Sequence, residues 1–284
     1  MIRLISWNVG RPGAKRIELQ VAALCSRKPE VIALQEVTPK AAEVFRQQFK
    51  KEGFENVADS FPRCGKKDLR RGRQFGELIA SKFKLEQLSS AKSGVRWHEK
   101  ILSVVLATDC GDVEIHTVHV PNGSNHGRNK IETFEAIYKR LAVTTNCHRI
   151  LCGDFNTPQE ETSDGQIITW GQTKNAAGAF VIGKGCWDGV SSERWDLAER
   201  NVLEGLKRYD LSDLFRKLHG YRTRKAKEAF SFYNNHGPEF YRRFDHSFAS
   251  SSLNGKKCDY LRQGRFRQLS DHAPIEAEFH PERH

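Results

Sequence analysis

The sequence predicts an α/β protein, because strand-like and helix-like segments alternate along nearly its whole length. Short runs rich in Ile, Val, Leu and Phe are typical of buried strands. Such runs occupy residues 2–7, 31–35, 77–81, 101–107, 113–118, 149–153, 244–250 and 275–279. No internal repeat or Pro/Gly/Ser-rich linker divides the chain, so we expect a single domain over residues 1–284.

Four amphipathic segments predict the helices, because apolar residues recur in them every three or four positions. They are residues 14–27, 39–51, 131–143 and 197–209. The second begins with Pro39, and Thr38 is the expected N-cap residue. Residues 157–195 are rich in glycine and predict irregular loops, with a short hairpin formed by residues 166–169 and 180–182.

The chain is strongly basic. It has 46 Lys and Arg residues against 35 Asp and Glu residues, and its formal net charge is +11. Such a surface attracts polyanions, among which nucleic acid is the commonest inside a cell. The densest basic segment, residues 63–73, also contains glycines, so we expect a loop that is either a solvated turn or a contact for phosphate. Charge alone leaves a nucleic-acid-binding protein and a basic protein without a specific partner equally open.

Seven cysteines are spread along the chain, at positions 25, 64, 110, 147, 152, 186 and 258. Their odd number and the absence of any CxxC spacing argue against a disulfide framework and against a zinc knuckle. We therefore expect all of them to be reduced and structural. No apolar run approaches the ~20 residues that cross a bilayer, and the first residues lack the features of a signal peptide. A cytoplasmic protein is the resulting expectation.

Polar side chains follow four of the predicted strands at the points where those strands end. In chain order they are Asn8, Glu36, His119 with Asn122, and Asp154 with Asn156. Functional groups of α/β sheets collect in the crevice at the carboxyl ends of the strands. Asp271 and His272 shortly precede the last strand-like run, and an imidazole exchanges protons near neutral pH. Neighbouring strand residues point to opposite sides, so a turn at residues 273–274 is expected to bring both side chains to the pocket.

Six short motifs lie near the strand ends. They are Ser6-Trp7-Asn8-Val9, Leu34-Gln35-Glu36-Val37, Val120-Pro121-Asn122, Gly153-Asp154-Phe155-Asn156, Arg243-Phe244-Asp245 and Ser270-Asp271-His272. Their residues and order resemble the endonuclease/exonuclease/phosphatase superfamily, the metal-dependent fold shared by exonuclease III, deoxyribonuclease I and inositol-polyphosphate phosphatases. The resemblance spans residues 6–274. It implies a four-layer α/β sandwich, in which two mixed β-sheets pack face to face and are flanked by helices.

The resemblance implies a divalent metal site. Glu36 is the expected ligand, and Asp271 is a ligand or a neighbour of one. Asn8 is expected to help hold Asp154 and the metal region through hydrogen bonds, and we count it with the metal residues. The expected cofactor is Mg²⁺, with Mn²⁺ as a substitute, since Mg²⁺ prefers oxygen ligands and needs only one or two protein carboxylates.

The resemblance also implies which groups react. Asp154 matches the residue that orients or deprotonates the attacking water. Asn156 and Asn122 are expected to contact the phosphate. His272 would donate to a phosphate oxygen or accept a proton from water. Asp245 would fix the orientation and the tautomer of that ring.

Two departures from the pattern leave the branch of the superfamily open. Enzymes similar to exonuclease III carry an acid at the position of Gly10 and a tyrosine at the position of His119. A histidine there resembles the deoxyribonuclease I and phosphatase branches, where it can act as a general acid on the leaving oxygen. Asn122 still matches the exonuclease III pattern. His119 is therefore a catalytic candidate, and the alternative is a strand-end histidine without a role.

Later segments resemble the nucleotide-binding side of the exonuclease III branch. Phe230 and Phe232 match aromatic residues of that pocket, although alternate residues of a core strand would show the same pattern. Basic residues just before them are expected to follow a phosphate backbone. These are Arg222, Arg224, Lys225 and Lys227.

The sequence thus predicts a Mg²⁺-dependent phosphodiester hydrolase, an endo- or exonuclease that acts on DNA. The main alternative is a phosphatase or phosphodiesterase that acts on a small phosphate ester or a phosphoinositide. A catalytically inactive relative that binds nucleic acid is the second alternative. Nucleic acid is the expected partner, and the sequence indicates neither a membrane span nor an obligate protein partner.

Overall fold

The computed structural model describes residues 1–62, 64–65, 68–69, 73–89, 94–234 and 236–281. The first strands are β1 (Ile2–Asn8), β2 (Val31–Val37), β3 (Asn56–Asp59), β4 (Gly76–Ser81), β5 (Lys84–Gln87), β6 (Ile101–Thr108), β7 (Gly111–His119) and β8 (His148–Asp154). They are followed by β9 (Glu160–Glu161), β10 (Ile167–Ile168), β11 (Gln172–Lys174), β12 (Phe180–Ile182), β13 (Cys186–Trp187), β14 (Val190–Ser191), β15 (Ser212–Asp213), β16 (Asp245–Ala249), β17 (Gly255–Tyr260) and β18 (Ile275–Phe279). The helices are α1 (Ala14–Cys25), α2 (Pro39–Lys51), α3 (Gly123–Leu141), α4 (Ser192–Leu203), α5 (Leu214–His219), α6 (Arg224–Lys227) and α7 (Phe266–Leu269).

Two six-stranded sheets form the centre of the fold. Their strand orders are β17-β18-β1-β2-β4-β3 and β15-β16-β8-β7-β6-β5. In the first sheet β1 runs parallel to β2, and in the second β7 runs parallel to β8. The other neighbouring strands of both sheets are antiparallel. Both sheets are therefore mixed, and the carboxyl ends of each parallel pair lie at the same edge.

The alternation of side chains along the central strands produces four layers. Leu4 of β1 and Ile150 of β8 lie in one core cluster between the sheets. Their chain neighbours point the other way: Ile5 packs with side chains of α1 and α2, and Leu151 packs with those of α3 and α4. The predicted four-layer α/β sandwich is thereby confirmed.

The predicted strands are all inner strands of the two sheets, whereas the outermost strands β3, β5, β15 and β17 are not predicted. In β5, for example, Lys84 and Glu86 are exposed. Edge strands commonly carry charged residues, which discourage pairing with other molecules. An apolar run therefore predicts a strand that is covered on both faces, but it does not predict a strand at the edge of a sheet.

The four predicted helices correspond to the four long helices α1 to α4, but the ends of some of them differ from the prediction. Thr38 Oγ1 accepts a hydrogen bond from the N–H of Ala41 at 3.1 Å, which confirms it as the N-cap of α2. Helix α3 begins at Gly123, earlier than predicted, because Asn122 Oδ1 accepts the N–H of Ser124 at 2.8 Å and caps it. Helix α4 also starts and ends earlier than predicted.

The glycine-rich segment 157–195 contains three small two-stranded sheets. Strand β10 pairs with β9, β12 with β11, and β14 with β13. The hairpin predicted between residues 166–169 and 180–182 is therefore wrong, although both stretches contain a strand. Each of these strands pairs with its nearest neighbour along the chain, which keeps the closed loop short.

All seven cysteines are unpaired, as the sequence predicts. Cys152 and Cys258 are buried in the core between the sheets. Cys147 and Cys186 are exposed, so the structural role expected for every cysteine does not hold for these two. No helix within the described part of the chain is both long enough and apolar enough to span a lipid bilayer.

Candidate active site

A cleft of about 1150 Å³ lies at the ends of the central strands of both sheets. Most of the predicted site residues line it, namely Glu36, His119, Asn122, Asp154, Asn156, Asp271 and His272. Asn8 and Asp245 are buried behind these side chains and reach them through hydrogen bonds. The structure therefore brings all the predicted site residues together.

Asp154, at the end of β8, is held through both of its carboxylate oxygens. Asn8 Nδ2 donates to Oδ2 over 2.9 Å, and the backbone N–H of Asn156 donates to Oδ1 over 2.9 Å. Asn8 is itself fixed, because its Oδ1 accepts the N–H of Gly10 at 3.0 Å. Asn8 thus orients Asp154, and its own amide oxygen already has a hydrogen-bond donor.

The surroundings of Asp154 disfavour its negative charge. Its side chain is buried, and it lies directly opposite Asp245 in the pairing of β8 with β16. Burial raises the pKa of Asp154, the charge of His272 opposes this and the charge of Asp245 adds to it, so that the pKa is about 7. A carboxylate with such a pKa is well suited to accept a proton near neutral pH.

His272 is oriented by Asp245, since its Nδ1 lies 2.7 Å from Asp245 Oδ2. The carbonyl oxygen of His272 accepts the indole N–H of Trp7 at 2.8 Å, which also fixes the backbone. Burial alone would lower the pKa of His272, but Asp245 and Asp154 outweigh it and raise the pKa to about 10. The ring is therefore protonated at neutral pH, and its Nε2 lies 3.7 Å from Asp154 Oδ2.

The bend that brings Asp271 and His272 to the cleft lies at Asp271. Ser270 Oγ donates to the carbonyl oxygen of Asn8 at 2.7 Å and accepts the N–H of His272 at 3.2 Å. The turn predicted at residues 273–274 is wrong, because the structure has no turn or bend at these two residues, and β18 starts directly after them at Ile275. The hydroxyl of Ser270 thus stabilises the bend, which the sequence places later, at Ala273-Pro274.

A β-bulge in β2 directs Glu36 into the cleft. The register between β2 and β4 shifts between Leu34 and Val37, and Glu36 has left-handed backbone with a φ of 56°. Bulges of this kind redirect side chains beside active sites. Glu36 Oε2 lies 3.0 Å from Arg11 Nε, and Oε1 lies 3.7 Å from His119 Nε2. The bulge therefore presents a carboxylate at the end of a buried strand.

His119, at the end of β7, is nearly buried and stacks on the ring of Phe75 at a centroid distance of 5.4 Å. Its Nε2 lies 3.8 Å from Asp154 Oδ2. Burial, and then the positive charges of Lys100 and His272, lower the pKa of His119 well below its ordinary value. The ring is therefore neutral, which suits hydrogen bonding better than proton donation.

The two asparagines of the cleft also stabilise their own loops. Asn122 caps α3 with its side-chain oxygen, as described above. Asn156 has a φ of 51°, and its Nδ2 donates to the carbonyl oxygen of Val120 at 2.9 Å. Both side chains are thereby held at the rim of the cleft.

The sequence profile of the Endonuclease/Exonuclease/phosphatase family matches residues 5–272. The chain belongs to this family. The matched range contains every predicted site residue, from Asn8 to His272. No curated protein matches the sequence.

Solved structures share the fold over nearly the whole chain. An AP endonuclease from Archaeoglobus fulgidus has a TM-score of 0.68 at 18% identity, over 98% of this chain and 99% of that one. The 3′ phosphatase NExo from Neisseria, bound to a product DNA hairpin, has a TM-score of 0.67 at 18% identity, over 99% and 100%. A humanized TDP2 from D. rerio has a TM-score of 0.61 at 13% identity, over 98% of each chain. At these identities the likeness shows the fold.

Enzymes of the family hydrolyse phosphoester bonds with a divalent metal, and two groups of side chains in this cleft offer ligands. Asp154, Asp245 and His272 have ligand atoms within 4.8 Å of one another, the one such cluster among the residues that the structure describes. The hydrogen bond between Asp245 and the charged ring of His272 disfavours a cation there. Glu36 and Asp271 offer carboxylate oxygens to the same cleft.

Two ionisable residues beside the site, Lys100 and Glu77, do not follow the carboxyl end of a strand and are not predicted. Lys100 lines the cleft and donates to the carbonyl oxygen of Phe75 at 2.8 Å, and burial lowers its pKa to about 8. Burial raises the pKa of Glu77 well above its ordinary value. Both lie at the amino ends of antiparallel strands, β6 and β4, which reach the same edge as the carboxyl ends of β7 and β2. Polar residues at the amino ends of antiparallel strands are therefore also candidates for such a site.

Among the described residues, the basic residues expected to contact phosphate do not line the cleft. Arg73 makes two hydrogen bonds, of 2.8 and 2.9 Å, to the buried carboxylate of Glu99. None of the basic residues within 222–225 lines the cleft. The other basic residues of the segment 63–73 and the side chain of Lys227 lie outside the described residues.

Phe230 and Phe232 have different surroundings. Phe232 lines the cleft, stacks on Phe244 at 5.3 Å and contacts the ring of His272 at 5.1 Å, measured between centroids. Phe230 lies under the guanidinium group of Arg262 at 4.6 Å, in a separate surface pocket. Neither residue belongs to a strand of the two sheets, so the alternative of a core strand is wrong. Only Phe232 is positioned beside the site.

Proposed function

We propose that the protein is a Mg²⁺-dependent hydrolase of phosphodiester bonds and that DNA is its substrate. The observation that carries this proposal is the approach of a proton acceptor and a proton donor in one cleft. Asp154 Oδ2 lies 3.7 Å from Nε2 of the protonated His272, with the carboxylate of Glu36 nearby. Catalysis of phosphoryl transfer consists mainly of positioning and charge stabilisation, which such a cleft supports.

Glu36 and Asp271 would hold the metal, because both carboxylates line the cleft and oxygen is the ligand that Mg²⁺ prefers. The guanidinium group beside Glu36 belongs to Arg11, whose side chain is 60% exposed and can move aside. Asn8 contributes to the metal region indirectly. Its amide oxygen already accepts the N–H of Gly10, and its amide nitrogen orients Asp154. When bound, the metal supplies positive charge that offsets the charge of the phosphate.

The remaining side chains bind, orient and exchange protons. Asp154 orients the attacking water and accepts its proton. His272, held by Asp245, donates its Nε2–H to a phosphate oxygen. Neutral His119 donates a hydrogen bond to the same group. The rim asparagine Asn156, with Asn122 beside it, positions the phosphate.

Loss of either the metal ligand Glu36 or the proton donor His272 should abolish cleavage. We expect Glu36→Ala and His272→Ala to lose metal-dependent activity while circular dichroism and thermal melting remain close to the wild type. The measurement is cleavage of abasic duplex, plain duplex, single strands, RNA and an inositol phosphate, each with Mg²⁺ and with EDTA.

Glu43→Ala, on an exposed position of α2, is the matched control and should retain full activity. Full activity of either site variant would disprove the assignment. Cleavage of the inositol phosphate alone would favour the phosphatase alternative, one of the two branches that carry a histidine at the position of His119. No cleavage of any substrate would favour an inactive nucleic-acid-binding relative.

We also propose that residues 1–284 form one domain that works in a reducing, intracellular compartment. One core cluster contains side chains of both six-stranded sheets, which supports a single domain. The seven unpaired cysteines support a reducing location.

A further inference from the structure

Two tryptophan rings remain exposed inside the cleft, and we call Trp170 and Trp187 the tryptophan wall. They are 42% and 57% exposed, respectively, and both line the cleft. Trp170 lies between β10 and β11, and Trp187 ends β13, so both come from the small sheets of the glycine-rich segment. Large aromatic rings that stay in contact with water within a cleft mark a surface that binds a ligand.

Both rings are fixed to the backbone of the active site. The indole N–H of Trp170 donates to the carbonyl oxygen of Asn156 at 3.1 Å. That of Trp187 donates to the carbonyl oxygen of Gly123 at 2.9 Å, next to Asn122 in the chain. The tryptophan wall therefore flanks the two asparagines that we assign to the phosphate, and its orientation is set before a ligand binds.

Helix α3 is shaped to receive tryptophan rings. A Cβ atom at Gly127 would lie 2.6 Å from Trp187 Cδ1, and one at Gly123 would lie 2.7 Å from Trp195 Cζ2. Both distances are too short for non-bonded carbon atoms, so any other residue would displace a ring. Glycines at successive turns of α3 thus let Trp187 of the wall and the buried Trp195 pack against its backbone.

The charges around the wall indicate what it binds. The exposed side chain of Arg11 lines the cleft, whereas Lys130, whose Nζ lies 5.8 Å from the centre of the Trp170 ring, is buried and paired with Glu199 at 2.8 Å. Positive charge attracts the phosphates of a nucleic acid, while an aromatic face stacks on a base of any sequence. A paired base inside a duplex already stacks on both of its faces. An unpaired base, unlike one inside a duplex, offers a free face to a tryptophan ring.

We infer that the tryptophan wall stacks on an unpaired base of the strand whose phosphate enters the active site. The cleft would then take single-stranded DNA, or a single-stranded end, in preference to an intact duplex. This inference rests on the proposed function and specifies the form of DNA that the site accepts.

Binding in EDTA, where metal-dependent cleavage does not interfere, tests the inference directly. The probes are a dye-labelled oligothymidine and a strand of equal length that carries no bases, both measured by fluorescence anisotropy. We expect the wild type to bind the oligothymidine more tightly. Trp170→Ala and Trp187→Ala should weaken that binding roughly 5- to 150-fold, the loss of one stacked base, and affect the baseless strand much less. Trp187→Phe should retain most of the preference, because it keeps an aromatic face.

Leu197→Ala is the control for removal of an exposed apolar side chain. Leu197 is 60% exposed on α4, outside the cleft, and the variant should bind both strands as the wild type does. Equal binding of the two strands by the wild type would overturn the inference, as would equal losses for both strands in the tryptophan variants. Because this assay involves no catalysis, a base preference that depends on the wall supports the inference even if cleavage assays disprove the proposed function.

Discussion

Asp245 is buried, and its side chain acts on the cleft through His272. Its Oδ2 accepts the hydrogen bond from Nδ1 of that ring at 2.7 Å. Its own backbone is held as well, because its N–H donates to Ser231 Oγ at 2.9 Å and its carbonyl oxygen accepts the hydroxyl of Tyr260 at 2.7 Å. Asp245 is therefore a positioning residue whose own backbone is held by hydrogen bonds on both sides.

Asp245→Asn should separate positioning from binding, because it removes the charge and keeps the shape. We expect kcat to fall about 10²–10⁴-fold, since the amide no longer holds the charged imidazole in the required orientation. KM should change much less, as Asp245 does not contact the substrate. Steady-state kinetics on the preferred substrate measure both constants.

The same substitution at an exposed acid, Asp112→Asn at the start of β7, provides the control and should leave both constants unchanged. A loss confined to KM in Asp245→Asn would contradict a positioning role. Wild-type kcat in that variant would mean that His272 does not require its partner.

At the scale of elements, buried ion pairs join two short strands, β9 and β15, and helix α5 to the strand that carries Asp245. Arg243, just before β16, contacts Glu161 of β9 at 2.7 Å and Asp213 of β15 at 2.6 Å. Arg216 of α5 adds a contact to Glu161 at 2.7 Å. Burial alone would raise the pKa of Glu161, but the two arginines outweigh it and lower the pKa to about 2. The pKa of Asp213 is lowered in the same way, chiefly by the charge of Arg243.

The lowered pKa of Glu161 makes part of the stability depend on pH. Its contribution is fully present above the unfolded-state pKa of about 4.3 and is lost as the pH falls toward about 2. We expect the free energy of unfolding of the wild type to fall over this range and to fall less in Glu161→Gln, which lacks the titrating group. Near neutral pH this variant should be less stable by about 3–5 kcal/mol, because buried arginines lose a partner.

Urea unfolding at a series of pH values measures both effects. Glu43→Gln, on the exposed side of α2, should follow the wild-type profile. Parallel profiles for the wild type and Glu161→Gln would show that this ion cluster does not cause the pH dependence.

At the scale of the whole molecule, the net charge of +11 determines how binding responds to salt. If the protein binds a single strand of DNA through several phosphates, the logarithm of affinity should fall linearly with the logarithm of salt concentration. We expect a slope of about −2 or steeper, since each neutralised phosphate contributes about −0.7. The measurement is anisotropy titration of a labelled strand at a series of KCl concentrations.

A small phosphodiester such as bis(4-nitrophenyl) phosphate is the control substrate, and its KM should depend only weakly on salt. A flat salt profile for the DNA strand would contradict a nucleic-acid substrate and would favour a small ester.

Much of the fold could be predicted from the sequence. The inner strands of both sheets are covered on both faces, so strands such as β2 and β8 appear as unbroken apolar runs. The edge strands could not be found in this way, because one of their sides faces water. The three small sheets formed by the strands from β9 through β14 also could not be predicted, since these two- and three-residue strands are too short to show a pattern.

Much of the candidate site could be predicted as well, because its motifs are local. Asn8, Glu36 and Asp154 each follow an apolar run, and the family resemblance implies the partnership of Asp245 with His272. Neither the bend at Ser270 nor the burial of Lys100 nor the tryptophan wall is a local property, and none of them could be predicted.

The sequence by itself determined the residue types at the strand ends, the α/β class and the excess of positive charge. Only the tertiary structure decided which of these residues meet and in what state of protonation. Asp154 faces Asp245 because β8 and β16 pair antiparallel, and Trp187 lies against α3 because Gly127 leaves room for it. Such contacts join residues far apart in the chain, and the burial that shifts their pKa values exists only once both sheets and their outer helices have packed.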